Sequence, residues 1–434
     1  ERPHPHPLYP SFPPIRKMGL AVLSAVMVYL ATQTSARVWV PVLLALLVAL
    51  GLYLWMRRVR LSDGEKFRVA FVHPDLGIGG AERLVVDAAV GLQQLGHSVV
   101  MYTSHHDPKH AFAETADGTL QVKVHGDFFP RSVFGRLHIL FATIRGVYLA
   151  IVMVMFEPRY DVLVVDQLSV PNPFLRLTGS RIVFYCHFPD LKLSGRRGAL
   201  KSVYRLPFDL LEEWTTLLAD VILVNSRFTS RVFRETFRSA VHDPTVLYPS
   251  INLAAYDEPP PAGIQSTELY RILDTHATFV SINRFERKKD VGKAVRAFAL
   301  LAPHLGGRFR ELRLVLAGGY DPRVAENVEH KQELEALAES LGVRGQVIFK
   351  PSFTSEERSA MLSKGLAVVY TPANEHFGIV PVEGMYARRP VIACNNGGPT
   401  ESILDGETGI LCEDTPEAFA QAMLQLLADR GRAA

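Results

Sequence analysis

Short apolar runs alternate with amphipathic stretches along most of the chain. Phe67 to His73 is a largely apolar run, and a glycine-rich loop, Asp75 to Gly80, follows it. Apolar residues then recur at helical spacing up to Gly96-His97, and a second apolar run occupies Val99 to Thr103. Runs of this length that are almost wholly apolar are typical of strands buried on both faces. The pattern therefore predicts a strand, a helix and a parallel strand.

The same alternation continues in two halves. In the first half, strands are also predicted at Val162 to Val165, Ile182 to Cys186 and Val221 to Val224, with helices near Phe134 to Phe156, Leu200 to Leu218 and Phe228 to Phe237. In the second half, strands are predicted at Thr278 to Ile282, Leu312 to Ala317, Val347 to Lys350, Leu366 to Tyr370 and Val391 to Cys394. A Pro-rich stretch around 258–263 separates the halves. We therefore expect an α/β protein with two Rossmann-like domains facing a cleft.

The first 60 residues follow a different pattern. Residues 1–18 contain a Pro- and His-rich stretch and are expected to be a disordered tail. Val38 to Met56 is an uncharged apolar run, about long enough to cross a bilayer, and Arg57-Arg58-Val59-Arg60 follows it as a cytoplasmic flank should. This apolar run and the shorter apolar run Gly19 to Thr32 make up a predicted membrane segment, 19–60. A removable signal peptide is the main alternative, and a single crossing or a membrane hairpin both remain open.

Net charge, cysteine content and glycine spacing argue against several classes of protein. A net charge of +3 over 434 residues is too small to indicate nucleic-acid binding. The three cysteines are an odd number in a long chain and do not make a disulfide framework, so a reducing compartment is the simplest setting. The loop Asp75 to Gly80 lacks the G-x-G-x-x-G spacing, and no acid follows the second strand to hold an adenosine ribose, which argues against an oxidoreductase.

Two carboxylates, Glu375 and Glu383, lie eight residues apart around a Phe-Gly pair. The preceding strand puts Glu375 in a loop at the strand's carboxyl end, where open α/β sheets bind ligands. Pro381 favours the first position of the next helix, so Glu383 is predicted in its first turn. The free N–H groups from about Gly378 to Pro381 suit a phosphate or a developing anion. A solvated loop residue and a helix-dipole partner are equally good interpretations of the two glutamates taken singly.

Basic and histidine residues follow other predicted strands. Arg284 and Lys289 lie in a dense charge run after the first strand of the second half, where they could offset charge on a leaving diphosphate; a solvated loop is the alternative. His187 follows an apolar strand of the first half, where a lone histidine is more often structural. No Asp-x-Asp signature or other metal-ligand pattern is evident.

Taken together, these motifs resemble a known family. Glu375-x7-Glu383 followed by Asn396-Gly397-Gly398-Pro399-Thr400-Glu401 resembles the nucleotide-sugar site of retaining GT-B glycosyltransferases. Within that family, the blocks at Val72 to Asp87, Tyr185 to Asp190 and Asn283 to Lys289 are similar to those of the dolichol-pathway α-1,3/α-1,6-mannosyltransferases. The resemblance runs from about residue 67 to about residue 413. Asn283 and Asp290 depart from it, standing where the family usually has glycines beside the Arg-x4-Lys pair.

The resemblance implies a site and its substrates. The donor is GDP-mannose, the acceptor is a dolichol-diphosphate-linked oligosaccharide, and no metal cofactor is expected. The residues implied to be catalytic are Glu375, His187, Arg284 and Lys289, and those implied to bind substrate are Gly79, Gly80, Glu383, Phe377, Gly378 and Ile379. Glu383 would hold ribose hydroxyls and Glu375 a sugar hydroxyl near the reacting centre, neither acting as a nucleophile.

The implied organisation follows. Residues 61–250 would be the acceptor domain, 251–277 a linker, and 278–434 the nucleotide-sugar domain, which we expect to be truncated because no final crossing helix is evident. The catalytic domains would face the cytosol on the endoplasmic reticulum membrane, with the lipid bilayer and other dolichol-pathway mannosyltransferases as partners. A transferase using UDP-GlcNAc and an inactive membrane-anchored scaffold remain as alternatives.

Overall fold

The computed structural model describes residues 66–133, 137–193, 199–251, 253 and 262–428. They fall within one unit of the chain, 61–434. The predicted tail, 1–18, and the predicted membrane segment, 19–60, lie outside the described residues.

The first half is built on a parallel sheet. Among the described residues its seven strands take the order β3-β2-β1-β4-β5-β6-β7. They are β1 (Arg68–His73), β2 (Ser98–Thr103), β3 (Gln121–Val124), β4 (Val162–Asp166), β5 (Arg181–Cys186), β6 (Val221–Val224) and β7 (Thr245–Val246). Val69 pairs with Val99 on one side and with Val162 on the other, so β1 is central.

The second half repeats the plan. Its six described strands take the order β10-β9-β8-β11-β12-β13, again all parallel. They are β8 (Ala277–Ile282), β9 (Leu312–Gly318), β10 (Val347–Pro351), β11 (Ala367–Tyr370), β12 (Val391–Cys394) and β13 (Gly409–Cys412). In both sheets the strand order reverses beside the first strand, between β1 and β4 and between β8 and β11. Ligands of open α/β sheets bind at such reversals, beyond the carboxyl ends of the strands.

Helices connect the strands. Those of eight or more residues are α1 (Gly80–Gln94), α2 (His138–Phe156), α3 (Ala199–Thr216), α4 (Arg227–Thr236), α5 (Glu268–Thr275), α6 (Val291–Ala299), α7 (Ala325–Ser340), α8 (Ser355–Lys364), α9 (Ile379–Tyr386) and α10 (Pro416–Ala428). Shorter helices occupy Ala113–Ala116, Asn172–Leu175, Asp190–Leu193, Ala302–Leu305 and Pro399–Ser402. The predicted fold of two parallel Rossmann-like sheets is confirmed.

Each sheet has a hydrophobic core on both faces because successive side chains of a strand point to opposite sides. In β1, Val69 and Phe71 pack with α1, whereas Ala70 and Val72 pack with α2. All four are at most 3% exposed. Because both faces of these strands are buried, the strands are almost wholly apolar. Polar residues are found instead at the carboxyl ends of the strands.

Helix α2 is the one described helix that is long and apolar enough to cross a membrane, with a mean hydropathy of 2.2. Its Leu149 and Met153 pack in the core of the first sheet. Core helices of α/β domains have the same length and composition.

The segment predicted to be a linker, 251–277, contains helix α5. Its N-cap Thr267 accepts a hydrogen bond from the backbone N–H of Tyr270. Leu269 and Leu273 then pack into the core of the second sheet. The second half therefore begins before residue 278.

Candidate active site

The loops after β8 and β11 meet at the strand-order reversal of the second sheet. The ammonium Nζ of Lys289 lies 2.5 Å from Oε2 of Glu375, and each side chain is 17% exposed. The Lys289 carbonyl accepts a 2.7 Å hydrogen bond from the hydroxyl of Thr371, which joins the two loops a second time. Burial raises the pKa of Glu375, but the Lys289 ammonium outweighs it and holds that pKa below its ordinary value. The Glu375 carboxylate is therefore ionised at neutral pH.

The Phe377-Gly378 pair determines how the chain enters helix α9. Gly378 is the N-cap residue and has φ of +86°, a left-handed conformation that favours glycine. Gly398, in the second predicted motif, lies against the backbone of Phe377 so closely that a Cβ would clash with it. The N–H of Gly398 also donates a 2.7 Å hydrogen bond to the carbonyl of Glu375. The Asn396-to-Glu401 segment thus supports the Glu375 loop directly.

Helix α9 begins at Ile379, not at Pro381 as predicted, and its first turn contains no acidic residue. The prediction that Glu383 lies in the first turn is therefore wrong. Proline is tolerated at the third helical position because the first N–H groups of a helix have no partner within it. Glu383 is 2% exposed and pairs with Arg358 of α8. The first N–H groups of α9, from Ile379 onward, have no partner within the helix, and their suitability for a phosphate stays a prediction.

The basic residues that follow β8, from Arg284 to Lys289, differ in the partners that they contact. Arg287 pairs with Glu329 and Glu333 on helix α7. Arg284 is 58% exposed at its side chain and lies 3.1 Å from Glu286. The structure thus brings Lys289, but not every cation of the run, against Glu375.

The hydroxyl group of Tyr370 lies within electrostatic reach of several predicted site residues. Tyr370 ends β11 and is 4% exposed. Burial raises its pKa, the carboxylates of Glu375 and then Glu383 raise it further, and Arg284 lowers it. Three of the predicted site residues are therefore close enough to act on one hydroxyl group.

The predicted residues of the first half lie at its own reversal of strand order. Gly79 caps α1 and Gly80 is its first residue. A Cβ on Gly79 would clash with the carboxylate of Glu82, which folds back over the glycine. His187 follows β5, and its Nε2 lies 2.7 Å from Oδ1 of Asp166 at the end of β4.

The two halves contact each other through the Glu375 loop. The ring of His376 stacks on that of Phe188, with centroids 3.8 Å apart and planes 8° apart. The hydroxyl of Ser226 donates a hydrogen bond to the His376 carbonyl. Burial lowers the pKa of His376 to about 4, although Glu375 opposes this, so the ring is neutral at pH 7. His187 contributes to that lowering, which places the two histidines within electrostatic reach.

A carboxylate of the second half caps a helix of the first. Glu401 accepts hydrogen bonds from the backbone N–H groups of Arg227 (2.7 Å) and Phe228 (2.6 Å), at the start of α4. The hydroxyl of Tyr248 donates to the same carboxylate at 3.0 Å. Sequence reasoning placed Glu401 in a motif but missed this contact.

Asp166, His73 and Arg358 are the other site residues that sequence reasoning missed. Asp166 and His73 each end an apolar strand beside the reversal, and that position was the available signal. Arg358 had no such signal, because its contact with Glu383 depends on how α8 packs. Within the described part of the chain, no group of three His, Cys, Asp or Glu side chains could hold a metal ion. The expectation that no metal is needed stays a prediction.

Comparison with known proteins gives consistent matches. Residues 78–255 match the family described as Glycosyltransferase Family 4, and residues 268–434 match Glycosyl transferases group 1. The chain is 47% identical over 389 residues to the alpha-1,3/1,6-mannosyltransferase ALG2 of Rhizomucor pusillus, covering 84% of this chain and 85% of that protein. It is 46% identical to the Homo sapiens protein of the same name, covering 82% and 86%. The solved structure of sucrose-phosphate synthase from Thermosynechococcus elongatus superposes with a TM-score of 0.68 at 20% identity, covering 85% and 91%, which shows the GT-B fold.

Proposed function

Because the chain belongs to the alpha-1,3/1,6-mannosyltransferase family, we propose that it transfers mannose from GDP-mannose to a dolichol-diphosphate-linked oligosaccharide. It is a glycosyltransferase of the mannosyltransferase class and uses a nucleotide sugar as donor. It forms α-1,3 and α-1,6 linkages in the assembly of a lipid-linked oligosaccharide. The ion pair of Lys289 and Glu375 at the strand-order reversal is the observation that carries the assignment of the site.

The donor diphosphate lies beside Lys289 and the start of helix α9 in this proposal. Negative charge accumulates on the leaving diphosphate as the glycosidic bond breaks, and a fixed ammonium and free N–H groups stabilise it. Lys289 is held by Glu375, so its charge needs little reorganisation during reaction. Arg284 is more exposed and acts as a second, more mobile cation. Phe377, Gly378 and Ile379 supply the backbone that approaches the donor.

Glu383 binds the ribose hydroxyls. Its carboxylate is buried and already paired with Arg358, and one of its oxygens has no hydrogen-bond partner in the described residues. A buried acceptor without a partner is costly and therefore unusual. Two ribose hydroxyls are donors of the right chemistry for that oxygen.

Glu375 contacts a hydroxyl of the transferred mannose, and His187 reaches the same sugar from the first half. Transfer retains the anomeric configuration in this proposal. Because a carboxylate whose oxygen is held by an ammonium is a weak nucleophile, Glu375 forms no covalent glycosyl-enzyme. Gly79 and Gly80 let the first half approach the donor diphosphate or the acceptor closely.

The site faces the cytosol at the endoplasmic reticulum membrane. The cysteines at 186, 394 and 412 are buried and unpaired, which fits a reducing compartment. The run Val38 to Met56 and the basic residues after it supply the anchor and its orientation. Other mannosyltransferases of the dolichol pathway are partners that would pass the acceptor along the same membrane.

The test uses the detergent-solubilised full chain. It is incubated with GDP-mannose or UDP-GlcNAc and a dolichol-diphosphate-linked acceptor, and the product is identified by mass. We expect addition of a hexose with GDP-mannose only, and none by Glu375→Gln. Addition of an N-acetylhexosamine would replace the donor assignment, and no transfer from either donor would favour the scaffold.

A further inference from the structure

A largely buried chain of ionisable side chains lies behind His187. It begins at Glu82 in the first turn of α1, passes through His73 at the end of β1 and Asp166 at the end of β4, and ends at His187. His73 and Asp166 side chains are each 1% exposed, whereas that of His187 is 20% exposed. Of the four, only His187 has a role in the proposed reaction.

Both oxygens of the Asp166 carboxylate face imidazole rings. Nδ1 of His73 lies 2.7 Å from Oδ2, and Nε2 of His187 lies 2.7 Å from Oδ1. An ionised carboxylate only accepts hydrogen bonds, so Nδ1 of His73 must carry the proton that it shares with Oδ2. The His187 contact has the length of a hydrogen bond but not its alignment, because neither Nε2 of His187 nor Oδ1 of Asp166 has a hydrogen-bond partner among the described residues. A rotation of the ring that aligned Nε2–H with Oδ1 would leave Nδ1 of the neutral ring to accept a hydrogen bond from a sugar hydroxyl. Asp166 is therefore placed to select the tautomer of His187.

From this geometry we propose that Asp166, held by His73, is the positioning residue for His187 during mannosyl transfer. The inference deepens the proposed function and rests on it. Asp166 fixes the ring orientation and tautomer, and its negative charge makes Nδ1 a stronger acceptor. The carboxylate of a Ser-His-Asp triad acts on its histidine in the same two ways.

The charge states support this arrangement. Burial raises the pKa of Asp166, but His187 and His73 lower it more, to about 2. Burial lowers the pKa of His73, but hydrogen bonding to Asp166 and then the contact with Glu82 raise it to about 9. His73 is thus an imidazolium at neutral pH between two carboxylates. It keeps Asp166 ionised in a site from which water is excluded.

Gly79 belongs to the same arrangement. The Glu82 carboxylate lies over its Cα, and its Oε1 is 3.7 Å from Nε2 of His73. A side chain at position 79 would displace Glu82 from His73. The glycine of this loop therefore serves the buried chain of charges as well as the close approach of substrate.

The alternative is that the Asp166–His73 contact only joins β1 to β4. A double-mutant cycle separates the two possibilities. By analogy with carboxylates that orient metal-bound histidines, we expect Asp166→Asn to lower kcat by about 10- to 100-fold, with the KM for GDP-mannose unchanged. In the His187→Ala background the same substitution should cost nothing further, because Asp166 acts through the ring. An equal loss in both backgrounds would overturn the proposal.

Conservative and distant substitutions control the experiment. His73→Asn keeps an N–H donor for Asp166 and should lose less kcat than His73→Leu, which does not. Asp161→Asn makes the same chemical change at the other end of β4, where Asp161 accepts a 2.7 Å hydrogen bond from the N–H of Arg68, and should leave kcat unchanged. If His73→Asn and His73→Leu lose equal activity, His73 does not act through its N–H.

A measurement without turnover separates this inference from the proposed function. Nitrogen-15 spectra of the histidine rings report which nitrogen of His187 carries the proton. We expect Nε2–H in the wild-type full chain and a change of tautomer in Asp166→Asn. If these spectra are found in a protein that transfers no mannose, the proposed function is refuted but the positioning of His187 by Asp166 is not. A wild-type ring protonated only on Nδ1 would refute the positioning.

Discussion

Lys289→Ala is the sharpest test of the donor site. The substitution removes the ammonium that lies 2.5 Å from Glu375, in a pair whose side chains are both 17% exposed. It therefore takes away the charge that offsets the leaving diphosphate and leaves Glu375 without its partner. Losing one group that stabilises a developing anion costs about 2 to 4 kcal/mol. We expect kcat to fall by about 30- to 900-fold.

Two effects of this substitution have to be separated. Removing one partner of a fully buried ion pair destabilises a protein by about 3 to 5 kcal/mol, and partial exposure reduces that figure here. Thermal unfolding with and without GDP shows whether the variant is folded. Single-turnover transfer from GDP-mannose, measured on folded protein at saturating donor, then reports the chemical step.

The neighbouring lysine is the matched control. Lys288 is 69% exposed, and its Nζ lies 3.2 Å from Glu286. Ion pairs this exposed contribute about 0 to 1 kcal/mol, so Lys288→Ala should leave kcat within a few-fold of wild type. EDTA should affect neither protein. Equal loss of activity in the two variants would contradict the role assigned to Lys289. Strong inhibition by EDTA that Mn²⁺ reverses would mean that a metal stabilises the diphosphate instead.

Three further outcomes are expected. Glu383→Gln should weaken GDP binding in calorimetry, whereas Glu375→Gln should mainly lower kcat; near-wild-type behaviour of both would refute the site. His73 has an ordinary pKa of 6.5 and a folded-state pKa of about 9, so its stabilisation is complete below pH 6.5 and lost as pH rises through 9. Denaturant unfolding of the wild type should show the free energy of unfolding falling by on the order of 3 kcal/mol over that pH range, and His73→Leu should not show this fall. A wild-type free energy of unfolding that does not change over that range would contradict the expectation. Deleting residues 1–60 should release the protein from membranes in alkaline carbonate while GDP binding persists; equal release of the full chain would refute the anchor.

Much of the fold could be predicted because double burial leaves a strong trace in the sequence. Strands such as β12, Val391–Cys394, lie between helices on both faces, so nearly every position is apolar. Edge strands carry less of this signal. β3, Gln121–Val124, lies at the margin of its sheet with no fully buried residue and was not predicted.

The site was predictable where a motif is local. Glu375 and the glycines that support it lie close together in the sequence, and their chemistry is apparent from spacing. Contacts made by packing were not predictable. The Asp166–His73 contact joins residues 93 positions apart, and the partner of Glu383 comes from the packing of α8. The start of α9 was misplaced because Gly378, with its left-handed φ, turns the chain into the helix before Pro381.

The Glu401 cap has a consequence for synthesis on the ribosome. The backbone N–H of Arg227 donates to the carboxylate of Glu401, which lies 174 residues further along the chain. At translation rates of about 5 to 20 residues per second, roughly 9 to 35 s pass before that carboxylate is synthesised. During this interval the nascent first half can complete its sheet, and Ser226 can cap the N–H of Thr229, but the N–H groups of Arg227 and Phe228 lack the carboxylate that they bond to in the complete fold. The last step of its folding therefore requires the synthesis of the second half.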